Sequence, residues 1–530
     1  MSESVMTRLP RAAIPEEVGV SSRAVEAFLH DCDRLGLNLH TVMITRGGKV
    51  AVECAWAPFD LSIPHTMFSF SKQVTSIAIG FCVAEGLLSL DDPVSKFFPY
   101  SSGNQKHDTR NNAITVYDLI TQRSGKNISI FTTNNEKNEW LNNWLAAPFK
   151  GKTGESWNYL SENIYMLSRI VTKVSGQGLT EFLTPRLFEP LGIETPYWEH
   201  DHNGFNAGGW GAFLKTEDMA KIGICFLHDG VYDGRQVIPA DWIRQSTTRH
   251  LQKIPPTFTD PLSYGFQLFI QPEFRGTYSF NGLYTQFDIM YPEYDAVLTC
   301  TAGELREADF LHTVHKHFPG IFTKATEADE AGFALLKAYL QKIADRKPPM
   351  ARRRPETETK INGRTIRTTA RKNASILGSG NNFYLYARAG KINDFRFKFT
   401  EDSLQVEFSE KNSPPSVINV GLDGDYLYSE LQLAELTVPV ASYGTWVSES
   451  VFKLVVVPRN MAQYREFYFR FLPMDVVHVT SRALPTIRDT FEFYLQFNGM
   501  KASKLLSGVC ATAAAVLGLG LDPNFYGVIK

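Results

Sequence analysis

The spacing of apolar residues changes near position 350, and this change limits what the chain can fold into. Before that point helix-like and strand-like runs alternate, whereas later, as in Phe395–Phe399, apolar residues occupy every second position. Between the two parts, Arg346–Pro355 combines prolines with basic residues and leaves almost nothing to bury. At 530 residues the chain is also too long for one hydrophobic core. We therefore predict a domain over 1–345, a linker over 346–356 and a second domain over 357–530.

The first part has the pattern of an α+β domain. Ser21 and Ser22 precede a spacing typical of a capped amphipathic helix, and the strand-like runs His40–Arg46 and Lys49–Trp56 follow. The two glycines between these runs predict a hairpin. Helical patterns dominate from Ser69 to Val174. Strand patterns then return at Tyr264–Ile270, Thr277–Asn281, Phe287–Tyr291 and Ala296–Thr301, and a helix-like run, Glu327–Asp345, ends the domain. We expect an antiparallel sheet built from both ends of the domain and backed by helices.

The second part is predicted to be a mostly antiparallel β domain, either a sandwich or a barrel. After the first alternating run, Glu401 and Asp402 turn the chain, and alternation resumes from Leu404 to Phe408. Val451–Val457 and Glu466–Phe471 show the same period of two. No catalytic constellation is evident in this part.

The net charge, the cysteines and the two ends of the chain indicate which partners and which cellular compartment to expect. A net charge of −2 gives no electrostatic reason to expect nucleic acid or an anionic membrane. The six cysteines are scattered, which favours reduced thiols in a cytosolic protein over a disulfide framework. The N-terminus has no secretory signal, and Leu505–Leu521 is too interrupted for a spanning helix, so we interpret it as a buried helix. A cytoplasmic protein with a small-molecule substrate is predicted; the oligomeric state is left open.

A Ser-x-x-Lys pattern, Ser69-Phe70-Ser71-Lys72, is the first candidate for chemistry. Residues three apart on a helix share a face, so the Lys72 amine can reach the Ser69 hydroxyl. Ser69 also comes just before an apolar helical run, where free backbone N–H groups favour developing negative charge. A desolvated lysine can take the proton of such a serine. Alone, this pattern favours a capping serine and a solvated lysine over a catalytic pair.

The surrounding segments resemble the β-lactamase-related serine hydrolases, a family that includes penicillin-binding proteins, class C β-lactamases and related esterases. Met67–Pro99 is similar to the family's nucleophile helix and its trailing Gly-Leu-Leu-Ser-Leu-Asp-Asp-Pro-Val. Ile114–Gly125 resembles its I-T-x-x-x-L-L-T-x-x-S-G segment, and Gly208–Gly211 resembles its later Gly-Gly turn. The resemblance covers roughly residues 15–325. It implies Ser69 as nucleophile, Lys72 as base, and an antiparallel sheet with helices on both sides plus an all-helical subdomain.

The same resemblance implies a catalytic tyrosine near the serine. Trp157-Asn158-Tyr159 is similar to the W-x-Y-S-x-x-N form found in esterases and amino-acid-oligomer amidases, although Leu160 stands where that form has serine. Ser161 stands where class C β-lactamases have asparagine. Tyr159 is therefore the predicted proton relay, with Tyr165 as the alternative if the register differs. A purely structural aromatic cluster is the other interpretation of these rings.

The third family motif, K-T-G or H-x-G, is matched by Phe280-Asn281-Gly282. We expect Gly282 to let substrate approach the strand closely, with Asn281 and Ser161 as further substrate contacts. The resemblance places the oxyanion between the backbone N–H groups of Ser69 and Leu283. Phe280 stands where the family has a cation, so nothing there would bind the carboxylate of a penicillin or a D-alanyl peptide.

Other patterns point to no cofactor. His200-x-His202 lies beside Glu199 and Asp201, but a metal site needs three or four converging ligands. His315 and His317 fall on a predicted helix, where positions i and i+2 do not share a face. The leading hypothesis is an acyl-enzyme serine hydrolase of an ester or small amide. A D-Ala-D-Ala carboxypeptidase or β-lactamase, and a non-catalytic binding protein, remain as alternatives.

Overall fold

A computed structural model describes residues 7–99, 108–128, 140–251, 263–271, 276–324, 327–369, 374–378, 390–411, 413–433, 435–486, 488–490, 492–493 and 524–530. The chain divides into two compact units. The first consists of Met1–Cys54, Pro64–Ala302 and Arg306–Leu340, and the second of Ala55–Ile63, Gly303–Leu305 and Gln341–Lys530. The proposed linker, 346–356, falls within the second unit, whose contacts also include two short stretches from earlier in the chain.

The main sheet of the first unit has seven strands among the described residues, in the order β2-β1-β11-β10-β9-β8-β7. Its strands are β1 Leu39–Arg46, β2 Lys49–Ala55, β7 Ser263–Tyr264, β8 Phe269–Gln271, β9 Thr277–Gly282, β10 Gln286–Tyr291 and β11 Ala296–Ala302. Short ladders pair β3 His65–Thr66 with β4 Phe213–Leu214, and β5 Val231–Tyr232 with β6 Arg235–Gln236. Strand β1 from the start of the chain pairs with β11, so the sheet is built from both ends of the domain as predicted.

Helices cover both faces of this sheet. They are α1 Ser22–Arg34, α2 Ser71–Ala84, α3 Val94–Phe97, α4 Val116–Ile120, α5 Trp140–Ala146, α6 Ser161–Ser175, α7 Leu179–Leu183, α8 Thr216–Leu227, α9 Ala240–Ser246, α10 Glu307–His317 and α11 Glu330–Ala344. On β10, Phe287 packs edge-on against Phe310 of α10. The next side chain, Asp288, faces the opposite side, where Gly223 of α8 lies. Helices α2, α4, α6 and α7 pack together, which confirms the α+β prediction with a helical part.

One predicted strand, Tyr264–Ile270, is wrong as a single element. The structure splits it into β7 and β8, which pair with each other through Tyr264 and Phe269. Between them Gln267 has φ of 63°, a left-handed backbone conformation that no strand contains. The apolar alternation is real, but the chain reverses direction within it.

The second unit is built on a single antiparallel sheet that closes on itself. Among the described residues its ten strands are β12 Thr365–Thr368, β13 Ile392–Phe399, β14 Ser403–Glu410, β15 Ser416–Gly421, β16 Leu427–Leu433, β17 Leu436–Trp446, β18 Val451–Pro458, β19 Tyr464–Phe471, β20 Val476–Leu484 and β21 Asn524–Ile529, with helix α12 at Pro355–Ile361. The two end strands meet where the Asn419 backbone N–H of β15 donates to Ser429 Oγ of β16 at 2.8 Å. Of the two predicted arrangements, the closed one is present.

Phenylalanines packed mostly edge to face fill this closed sheet. The Phe397 ring lies 4.9 Å from that of Phe469 and 5.9 Å from that of Phe452. Phe395 lies 5.1 Å from Phe469, and all of these side chains are buried. Edge-to-face contacts at these distances add to the apolar burial, so the second unit has a core of its own.

Five of the six cysteines lie in the described part of the chain, whereas the sixth and one apolar run lie outside it. Five cysteines are buried free thiols, as predicted: Cys32, Cys54, Cys82, Cys225 and Cys300. Cys510 and the run Leu505–Leu521 lie outside the described residues. Among the residues that are described, none of the helices combines the length and apolar character needed to cross a membrane.

Candidate active site

Ser69 lies in a short 3-10 turn, Phe68–Phe70, that leads directly into α2. The preceding residue, Phe68, has φ of 46°, a conformation that is rare and costly for a bulky side chain. Phe68 is buried with its ring 5.2 Å from that of Tyr284. The turn is therefore fixed by packing, and it leaves Ser69 half-buried at the start of the helix.

Lys72 Nζ contacts the Ser69 hydroxyl and two other oxygens. It lies 2.8 Å from Ser69 Oγ, 3.0 Å from Ser161 Oγ and 2.7 Å from the Gly209 carbonyl oxygen. The side chain is 0% exposed, so water does not compete for these bonds. A neutral amine has two N–H donors and one lone pair. If the Gly209 carbonyl oxygen and Ser161 Oγ accept these two N–H groups, the lone pair of Lys72 Nζ faces the hydroxyl proton of Ser69.

Two glycines bring this carbonyl oxygen to Lys72. A Cβ at Gly209 would lie 2.2 Å from the Ser161 carbonyl oxygen, and one at Gly208 would lie 2.6 Å from Ser168 Cβ. Only glycine permits such close approach to α6. The segment is tied to α2 as well, because Thr75 Oγ1 donates to the Gly208 carbonyl at 2.8 Å. The predicted Gly-Gly turn is thus part of the site.

Tyr159 lies next to the serine–lysine pair. Its phenol oxygen is within hydrogen-bonding reach of the Ser69 hydroxyl, and its ring centroid is 4.8 Å from Lys72 Nζ. The ring stacks on Phe269 at 6.3 Å and packs beside Trp157 at 6.2 Å. Burial raises the pKa of this phenol, so it is protonated at neutral pH.

The alternative tyrosine, Tyr165, is occupied elsewhere. Its hydroxyl donates to Asp201 Oδ2 at 2.6 Å and accepts from Arg169 Nη1 at 2.9 Å. Tyr165 is also buried beside Trp140, at 5.2 Å between ring centroids. The structure therefore brings Tyr159 and Ser161, but not Tyr165, to Ser69.

Gln122 fixes the backbone of the Tyr159 segment, a role the sequence did not indicate. Its Oε1 accepts from the Leu160 backbone N–H at 3.0 Å and from Asn163 Nδ2 at 2.9 Å. Its own carbonyl accepts from the Asn158 N–H at 2.9 Å. The side chain is fully buried, so these bonds bracket Tyr159 from both sides.

The third predicted motif lies at the end of β9. A Cβ at Gly282 would be 2.2 Å from the Met67 carbonyl oxygen, so this strand packs directly on the backbone before Ser69. Gln286 Nε2 donates to the carbonyl oxygens of Leu283 at 3.2 Å and Tyr284 at 2.9 Å, which orients the turn that contains Leu283. Asn281 is half-buried, and its Oδ1 is enclosed without a hydrogen-bond partner among the described residues.

Phe280 points into the protein rather than toward the cleft. Its ring meets Phe70 edge-on at 5.6 Å and Phe226 edge-on at 4.9 Å, and it is 0% exposed. The position that the family uses for a cation is thus part of an aromatic cluster.

Two buried titratable groups dominate the electrostatics of the site. Burial lowers the pKa of Lys72 to about 7, and the Glu162 charge opposes this shift. Burial raises the pKa of the Glu162 carboxyl to about 7, against the effect of Lys72. A lysine near neutral pKa is available as a base without strong alkali.

The histidine segment is a hydrogen-bonded loop. His200 Nδ1 lies 2.7 Å from the Asp201 carbonyl oxygen, and Asp201 Oδ1 accepts from the Asn203 and Phe205 N–H groups at 2.8 and 3.0 Å. Within the described part of the chain, no group of three or more His, Cys, Asp or Glu side chains could hold a metal ion. His315 and His317 lie on α10, which is the helix expected there.

Comparison with known families decides the assignment of the fold. A family model described as Beta-lactamase matches residues 22–309, which contain all the site residues above. The chain belongs to this family. The β-lactamase/transpeptidase-like fold and the family predicted from the motif segments are thereby confirmed.

Individual relatives of this β-lactamase family member are distant. Protein flp of Staphylococcus aureus is 27% identical over 201 residues, which cover 34% of this chain and 40% of the relative's length. Among solved structures, a putative 6-aminohexanoate-dimer hydrolase from Bacillus anthracis has a TM-score of 0.49 and 17% identity, covering 59% of this chain and 86% of that one. An octameric penicillin-binding protein homologue from Pyrococcus abyssi has a TM-score of 0.42 and 18% identity, covering 86% of this chain and 97% of that one.

Proposed function

We propose that this protein is a serine hydrolase that forms an acyl-enzyme on Ser69 from an ester or a small amide. The observation that carries the proposal is the 2.8 Å contact between Lys72 Nζ and Ser69 Oγ, with Lys72 fully buried. A serine hydroxyl is a weak nucleophile until a base takes its proton, and a desolvated amine is such a base. No cofactor is part of this proposal.

The proton moves along the contacts of the site. In the attack, the Ser69 hydroxyl gives its proton to the neutral Lys72 amine as Oγ bonds to the substrate carbonyl carbon. Ser161 Oγ and the Gly209 carbonyl hold the other two N–H groups, so the amine cannot rotate away. Tyr159, protonated and in reach of Ser69, gives its proton to the leaving oxygen or nitrogen and recovers one from Lys72. Water then releases the acyl group by the reverse path.

Backbone N–H groups of Ser69 and Leu283 are proposed to stabilise the tetrahedral oxyanion. Two features support this placement: the close packing of Gly282 on Met67, and the orientation of the Leu283 peptide by Gln286. The enclosed amide of Asn281 on the same strand is proposed to bind a polar substrate group.

The substrate is proposed to lack an essential carboxylate. Phe280 lies in the core between Phe70 and Phe226, and the half-buried rings of Trp157 and Tyr159 border the serine. Such surroundings favour an uncharged acyl group over a penicillin, which carries a carboxylate.

Labelling with a fluorophosphonate, followed by mass spectrometry, tests the proposal. We expect one adduct, on Ser69, which Ser69→Ala abolishes. Ser76→Ala is the matched control, because it removes a buried hydroxyl about two turns beyond Ser69 and should leave labelling intact. Folded wild-type protein that takes up no label would instead favour a binding protein without turnover.

A further inference from the structure

Glu162 is a buried charge beside the catalytic pair that the proposed mechanism does not use. It follows Ser161 in the first turn of α6, and its side chain is 5% exposed. Its Oε1 has no hydrogen-bond partner among the described residues. Burying a carboxylate costs stability unless its charge is compensated, so ordinary packing does not explain its presence.

Helix capping does not explain Glu162 either. The N-cap of α6 is Leu160, whose side chain makes no capping bond, and Glu162 is not part of a capping box. The positive end of the helix dipole favours a carboxylate here, but that effect is modest beside the cost of burying a carboxylate.

Lys72 is the cation whose charge acts on Glu162, and the reverse is also true. The two do not form a hydrogen bond, since Lys72 Nζ is occupied by Ser69, Ser161 and Gly209. They therefore interact through space, in surroundings where water screens little.

Other titratable groups on the packed elements are engaged elsewhere. Asp118 of α4 caps its own helix by accepting from Thr115, and the Lys126 ammonium donates to the backbone carbonyls of Leu145 and Ala147. Asp201 accepts from the Tyr165 hydroxyl and forms an ion pair with Arg169 Nη1 at 3.8 Å. Glu307 of α10 acts on the Tyr159 phenol, whose pKa it raises.

We propose that Glu162 is a positioning residue whose carboxylate sets the pH at which Lys72 becomes the base for Ser69. This inference rests on the proposed function. With the carboxylate ionised, the Lys72 ammonium is stabilised; when Glu162 is neutral, Lys72 loses its proton more readily. The pair acts as one unit that stores a proton next to the nucleophile.

The test is the pH profile of p-nitrophenyl acetate hydrolysis, measured as kcat/KM from pH 4.5 to 9. In the wild type, activity should rise as pH increases through about 7, the pKa of the Lys72 ammonium, because only the neutral amine is a base. Glu162→Gln and Glu162→Leu should each move this rise to lower pH by about one unit, because they remove a nearby opposite charge. Glu162→Asp keeps the charge and should stay near the wild-type profile.

Each possible result of this experiment either supports or overturns the proposed role of Glu162, or overturns the proposed function itself. Profiles of the neutral variants that superimpose on the wild type, or that lie lower at every pH without shifting, overturn the proposal. Failure of both neutral variants to fold, monitored by circular dichroism, also overturns it, because the carboxylate would then be structural. If the wild type neither hydrolyses the ester nor takes up the fluorophosphonate, the proposed function itself has failed.

Discussion

Lys72 combines two properties that a lysine rarely has together. It is completely buried, and its nitrogen touches three oxygens, of which only the Gly209 carbonyl is unable to donate a proton. Burial makes the neutral amine accessible, and the fixed acceptors aim its lone pair. The chemistry therefore depends on the neighbours of Lys72 as much as on the lysine itself.

We expect Tyr159→Phe to slow ester hydrolysis by about a hundredfold or more, because the leaving group loses its proton donor. The ring packing on Phe269 should survive, so stability should change little. Stopped-flow acylation and steady-state hydrolysis of p-nitrophenyl butyrate measure the effect.

Tyr165→Phe is the control for this variant. It breaks the bonds to Asp201 and Arg169 and should lower thermal stability with little effect on kcat. The reverse pattern, with Tyr159→Phe silent and Tyr165→Phe inactive, would overturn the assignment of the tyrosine.

At the scale of elements, local patterns predicted most of the framework. The alternation in β1, β9, β10 and β11 and the apolar spacing of α2 depend on neighbours in sequence, so the chain alone contains that information. The Ser-x-x-Lys pair is likewise local, because its geometry comes from one helical turn.

The rest of the site depends on residues that are distant in sequence. Gln122 reaches the Leu160 N–H across 38 positions, and the proposed role of Glu162 depends on the packing of α6 on α2. Neither residue belongs to a motif that fixes its type. The division of the predicted strand Tyr264–Ile270 depends on a left-handed Gln267 that propensity does not favour.

We expect the buried carboxyl of Asp288 on β10 to make the stability of the sheet depend on pH. Burial raises the pKa of its carboxyl to about 7, with Thr299 on the neighbouring strand opposing the shift in part. The folded state thus holds the proton more tightly than the unfolded chain. The protonated Asp288 carboxyl contributes its full stabilisation at pH values below its pKa in the unfolded chain. This stabilisation is lost as pH rises through its folded pKa of about 7.

The wild type should therefore lose about 2–3 kcal/mol of its free energy of unfolding as pH rises from 5 to 8. Asp288→Asn has no carboxyl to titrate there, so its free energy of unfolding should rise by that amount relative to the wild type over the same range. Urea unfolding at the two pH values, followed by tryptophan fluorescence, measures this difference. Asp91→Asn, at an exposed position, is the control and should show no such trend. An Asp288→Asn difference that is constant with pH would contradict the prediction.

At the scale of the whole molecule, each unit has a core of its own. The proposed catalytic residues all belong to the first unit, while the phenylalanine core described above fills the second. Separate cores can unfold separately, so one melting temperature need not describe the entire chain.

Phe397→Ala should destabilise the second unit by about 3–5 kcal/mol, because it leaves a cavity among Phe399, Phe452 and Phe469. Below the transition of this unit, the rate of fluorophosphonate labelling at Ser69 should stay unchanged. Differential scanning calorimetry, together with the labelling rate, measures both effects.

Phe397→Leu is a milder companion for that variant and should show a smaller loss of stability. Labelling that falls in proportion to the stability of the second unit, well below its transition, would mean that the two units do not act independently.

The aromatic cluster around Phe280 also restricts how this protein could evolve. Phe280→Lys would place an ammonium between the rings of Phe70 and Phe226, where water cannot solvate it. A single mutation toward carboxylate recognition would therefore weaken the fold before it could improve binding. Compensating substitutions of Phe70 and Phe226 would have to come first. A variant that binds carboxylates, as penicillins require, would therefore need several mutations.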